Sequence, residues 1–178
     1  LRVPVEVPSA PVVIAGCVAL VQFAGEPEDP PGEPVTRPTT RLIGNALIAV
    51  TAVIIIMGTV VTGSGPHAGD AQTVRLDLDP RLVSWLHADV VRGVSRGLVG
   101  VMAVSNVDSS PPVARRRAWW VAAFAVLQAG IGYVQYFTGL PWVIVTVHLL
   151  GACLVWVAVW RLRLSLTQRG NPLLAPRA

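Results

Sequence analysis

Residues 42–63, 82–104, 118–138 and 141–160 are each apolar over about 20 residues, the length that carries an α-helix across a hydrocarbon core roughly 30 Å thick. Lipid offers no partner to a backbone N–H or C=O, so such segments can only be helices or the strands of a closed barrel. The strict in-and-out alternation of barrel strands is missing from all four. With 53% hydrophobic and 13% charged residues, the composition excludes a single soluble domain. The expected fold is an all-α membrane protein: an antiparallel four-helix transmembrane bundle over 41–165, preceded by a short irregular N-terminal segment and followed by a cytoplasmic tail, 166–178.

The net charge is +4 and every basic side chain is an arginine, which raises the question of nucleic acid. Position answers it. Arg37 and Arg41 precede the first apolar stretch, Arg115, Arg116 and Arg117 precede the third, and Arg161, Arg163, Arg169 and Arg177 follow the fourth. Arg75 and Arg81, between the first and second, are offset by Asp70, Asp77 and Asp79. This asymmetry sets orientation in a bacterial plasma membrane, with both ends of the four-span unit and the C-terminus cytoplasmic. The lipid bilayer is the expected partner, and nucleic acid is not. Trp119, Trp120, Trp142 and Trp160 fall where interfacial aromatic belts are expected.

Residues 1–40 are the least coherent part. An apolar run at 10–24 is shorter than a span, 26–40 is a Pro- and Glu-rich linker, and the start reads as truncated or as the remnant of an upstream helix. Cys17 and Cys153 are isolated, belong to no CxxC or CxxCH motif, and read as small packing residues.

Two histidines carry the chemistry. His87 and His148 lie five to seven residues into the second and fourth stretches, which run in the same direction in the expected topology. At ~1.5 Å per residue both imidazoles reach the same depth, roughly 8–10 Å below the outer edge. An imidazole within a membrane helix is costly without a partner. One reading makes each a lone helix–helix hydrogen bonder. The other makes them the two axial ligands of one haem iron, a low-spin centre suited to electron transfer rather than oxygen binding. Gly93, Gly97 and Gly100 would allow close approach to the second span.

The turn-forming segment 63–70 carries His67 and Asp70, either as a plain surface turn or as a lid over the pocket, with Arg75 and Arg81 as candidate propionate contacts. His67 has no matching partner and is the weaker ligand. Arg92 and Arg96 are awkward, since arginine at a helix centre costs ~2.5–3.5 kcal/mol on insertion scales. Asp89 is the nearest partner for Arg92, and both arginines should point away from His87.

These residues sit in stretches that together resemble the carboxy-terminal half of haem A synthase, especially the actinobacterial type: 58–70 (GTVVTGSGPHAGD), 86–89 (LHAD), 115–120 (RRRAWW), 128–142 (QAGIGYVQYFTGLPW) and 147–152 (VHLLGA). The resemblance runs over about 41–165. It implies two tandem four-helix bundles in the whole enzyme, oxidation of a methyl group of haem O to the formyl group of haem A for cytochrome oxidase assembly, and a resident haem b in the carboxy-terminal pair, onto which His87 and His148 map. No catalytic residue is assigned.

The departures are a first apolar run without histidine, an outer loop without cysteine, and arginines at 92 and 96 where the family resembles a plain apolar helix. What is expected is therefore the haem b-binding half of an oxidoreductase, with haem O and haem A as substrate and product and an amino-terminal bundle or a second copy as partner. The alternatives are a non-catalytic haem-binding or assembly subunit, and a haem-free small membrane protein.

Overall fold

The computed structural model describes residues 6–25, 33–65, 75–107 and 111–168, with side chains throughout these except at 6–8, 33, 94–107 and 168. Five helices account for most of them: α1 (Glu6–Ala24), α2 (Pro38–Ser64), α3 (Pro80–Val107), α4 (Pro112–Phe137) and α5 (Trp142–Leu164). The two-residue strands β1 (Glu33–Pro34) and β2 (Thr167–Gln168) complete the described elements.

Proline sets the helix starts. Pro38 and Pro112 open α2 and α4 at the first turn, where a missing N–H costs nothing. Pro80 opens α3, where the Asp79 carboxylate accepts a hydrogen bond from the Arg81 N–H at 2.9 Å, an N-cap. Between α4 and α5 the chain reverses over residues 138–141 through Gly139 (φ 79°) and Leu140 (φ 61°), both left-handed.

α2, α4 and α5 are each long and apolar enough to cross a membrane. Their side chains behave as lipid would require. Large apolar residues face outward along them, Val126 at 74% and Leu150 at 62% exposure among them. Hydroxyls bond back to their own helix instead of to water: Thr51 to Leu47 O, Thr62 to Gly58 O, Ser64 to Val60 O and Thr146 to Trp142 O. α3, the second expected span, is 28 residues long but is not among the apolar three within the described residues.

Residues 10–24 are expected to be irregular or a partial helix. They belong to one continuous helix, α1, which tolerates Pro11 within its first turns and packs on α5 and α2. The Trp156 indole N–H donates to Pro11 O at 2.8 Å, giving the indole a partner from α1. Arg117 donates to Gln22 Oε1 at the other end of α1. Cys17 and Cys153 are exposed, not packed, because each lies on an outward face of its helix.

The tightest packing is at the arginine-rich end. Leu47 of α2, Ala114, Ala118 and Val121 of α4, Ala158, Val159 and Leu162 of α5, and Leu166 form one buried cluster. Small residues on α4 let α5 approach closely. A Cβ on Gly44 would stand 2.8 Å from Leu166 Cδ1, so α2 also meets this cluster through bare backbone. β1 and β2 pair antiparallel beside it, Glu33 with Gln168 and Pro34 with Thr167, while Thr36 Oγ1 and Val35 N both donate to Leu166 O. Leu166 is 2% exposed. Leu166→Ala is therefore expected to cost ~2–5 kcal/mol, the range for emptying a buried leucine site. Unfolding in detergent measures it, with the outward-facing Leu127→Ala as a control that should change little.

α2 touches α3 and α5, and α4 touches α3 and α5. Among the described residues the backbones of α2 and α4, and of α3 and α5, are not neighbours. α3 and α5 thus stand apart with the other two helices between them.

Candidate functional site

α3 and α5, one of the two pairs whose backbones are not neighbours, carry the two histidines. His87 lies seven residues into α3 and His148 six into α5. Each half-buried ring rests against a glycine of a neighbouring helix. A Cβ on Gly58 of α2 would stand 3.4 Å from His87 Cε1, and a Cβ on Gly132 of α4 would stand 3.3 Å from His148 Cε1. Gly58 is six residues before the end of α2 and Gly132 five before the end of α4. At ~1.5 Å per residue, all four positions fall roughly 8–10 Å from the same end of their helices. His87 and His148 are also near enough to interact electrostatically, so the pair picked out in the sequence is brought together.

His87 Nδ1, His148 Nδ1, Gln128 Oε1 and Gln135 Oε1 are buried without a partner, as is Trp160 Nε1 at the opposite end of α5. Each such atom costs ~1–3 kcal/mol of uncompensated desolvation. Two glutamines and Gly132 lie on one face of α4 at the spacing of successive turns, so four of these five unmet polar atoms belong to the two histidines and to that face. Gln128 is held firmly. Its Nε2 donates to His148 O at 2.7 Å, and its carboxamide lies flat on Gly151, where a Cβ would overlap the side-chain oxygen and stand 2.6 Å from Cδ. Gly151 thus leaves room for Gln128 to grip the turn of α5 that carries His148.

The remaining candidates fall elsewhere. His67, Asp70 and Gly69 lie outside the described residues, so the lid reading is not placed. Arg75 and Arg81 are exposed at the end from which the histidines are counted. Arg92 pairs with Asp89, as its spacing suggested, and the pair is exposed on α3 with Tyr133 of α4 within reach of the guanidinium. The Arg96 side chain, Gly97 and Gly100 lie outside the residues whose surroundings are described. Gly93 has nothing within 4 Å of a Cβ, so the close approach expected there occurs instead at Gly58, Gly132 and Gly151.

Gln128, Gln135, Gly58 and Gly132 were not singled out in the sequence, whereas Gly151 shares the helix face of His148 there. The glutamines did carry a signal, because a carboxamide in an apolar helix needs a partner. Among the described residues no three of His, Cys, Asp and Glu converge. The arrangement therefore offers two imidazoles and two carboxamides in an apolar setting. No protein-family profile, curated protein or solved structure matches the chain.

Proposed function

We propose that this chain is the haem b-binding half of a haem A synthase-like membrane oxidoreductase, with His87 and His148 as the two axial ligands. One observation carries the reading: two imidazoles with unpartnered buried nitrogens, at one depth, on two helices whose backbones are not neighbours. The donor set fits the group. Two neutral imidazoles fall short of the four protein ligands of a structural zinc, whereas a tetrapyrrole brings its own equatorial nitrogens and needs only the axial pair.

The residues of the resembling stretches also meet in space. Gly58 abuts His87, Gly132 abuts His148, and Gln128 spans from α4 to His148 and Gly151. α2, α3, α4 and α5 are then the antiparallel four-helix bundle, in a bacterial plasma membrane with the arginine-rich end cytoplasmic. Haem b supplies one-electron transfer when bound. The chain's part is to present both imidazoles, exclude water with apolar walls, and fix His148 through Gln128. Haem O and haem A are the proposed substrate and product, handled with an amino-terminal bundle or a second copy.

The test is a reduced-minus-oxidised spectrum with pyridine haemochrome typing of the protein purified in detergent after expression with ample haem. A low-spin b-type spectrum is expected. Folded protein without haem would overturn the assignment. Coexpression with an amino-terminal bundle, scored by conversion of haem O to haem A, then separates an enzyme half from a silent haem-binding subunit.

A further inference from the structure

The arginine-rich end carries a second feature that the histidine site does not use. Arg37, Arg41, Arg115, Arg116, Arg117, Arg161 and Arg163 all cluster there with Glu33 of β1, while Asp77, Asp79 and Asp89 lie before or within the first half of α3. Several of these cations are occupied. Arg41 donates to Thr36 O, Arg117 to Arg161 O and Gln22, and Arg163 to Asn45 and Thr167. Arg115 and Arg116 are exposed, and among the described residues their side chains make no hydrogen bond or ion pair.

Beneath them lies a shaped surface. Arg116, Trp119, Trp120 and Ala123 line a shallow open groove on one face of α4. Trp119 and Trp120 are 62% and 56% exposed, and Trp120 stacks on Phe124 at 5.8 Å between centroids. Ala123 forms a low floor between the rings and the next outward residue, Leu127. From Arg116 to Leu127 the face descends ~16 Å at the α-helical rise, from cation through interfacial aromatics to bare aliphatic surface.

We propose that this groove binds an anionic phospholipid, its phosphate held by Arg115 and Arg116 and its upper acyl chain lying over Ala123 between the tryptophan rings and Leu127. The charge excess selects a negative headgroup over a zwitterionic one. The apolar lower half selects a lipid over a free anion, which would gain nothing from Trp119, Ala123 or Leu127. The tryptophans match the depth at which glycerol and carbonyl groups lie.

Tryptophan quenching by brominated phosphatidylglycerol tests this on the full chain in neutral detergent, against brominated phosphatidylcholine of the same acyl composition. Saturable quenching is expected at lower concentration with phosphatidylglycerol, and inorganic phosphate should not displace it. The double variant Arg115→Gln/Arg116→Gln should weaken phosphatidylglycerol binding about thirty-fold through loss of two interfacial cations, leaving phosphatidylcholine unaffected. Ala123→Leu, which keeps every charge and fills the floor, should also weaken it. Equal quenching by both lipids, displacement by phosphate, or unchanged binding in the double variant and in Ala123→Leu would each overturn the site.

Discussion

His87→Ala and His148→Ala are each expected to abolish stable haem binding, whereas His67→Ala leaves the haem-to-protein ratio and the b-type spectrum intact. A bis-imidazole centre loses its low-spin character when either axial ligand goes, and no third His, Cys, Asp or Glu joins the pair among the described residues. Haemochrome quantification on purified variants reads the ratio, and thermal unfolding shows that each variant is folded. The two substitutions should act alike because the two rings play the same part from opposite helices. Equal haem retention in all three variants would remove the axial assignment. Loss in only one of the two histidine variants would reduce the site to a single ligand.

Gly151→Ala is expected to destabilise the protein, against the usual sign of a glycine-to-alanine change in a helix, which favours alanine by ~1 kcal/mol. The new methyl claims space held by the Gln128 carboxamide. Expelling that side chain breaks its bond to His148 O and strands a buried amide, a loss of ~1–3 kcal/mol. Gly130→Ala, with nothing within 4 Å of its Cβ, supplies the control and should be neutral or stabilising. In a Gln128→Ala background the clash has no target, so Gly151→Ala should regain its ordinary sign. A double-mutant cycle in detergent unfolding reads this directly. Additive effects would mean that Gln128 and Gly151 are not coupled.

The membrane character of the fold was legible because a bilayer imposes a length and a polarity that residues 42–63, 118–138 and 141–160 meet on their own. The histidine pair was legible for a similar reason, since helical rise converts position along two helices into depth. α1 was not. Its apolar run is shorter than a span and interrupted by Pro11, and what makes it a helix is docking against α5, where Trp156 meets the Pro11 carbonyl, a long-range contact that local pattern cannot report. The glycines illustrate the same limit. Gly93, Gly97 and Gly100 share one helix face in the sequence, yet Gly93 contacts nothing, while Gly58, Gly132 and Gly151 matter through what lies on the neighbouring helix.

The short β1–β2 pairing has a consequence for counting. Residues 33–34, ahead of α2, are hydrogen-bonded to residues 167–168, beyond α5. Two points on a chain that clasp each other lie on one side of any sheet of lipid, so the path between them makes an even number of passages. With α2, α4 and α5 across a bilayer the count is three, so the four-span bundle proposed above is the arrangement that makes it even. In that proposal the fourth passage is α3, whose 28 residues span ~42 Å, longer than the hydrocarbon is thick. Asp89 and Arg92 would then make the passage together, each cancelling the other's charge.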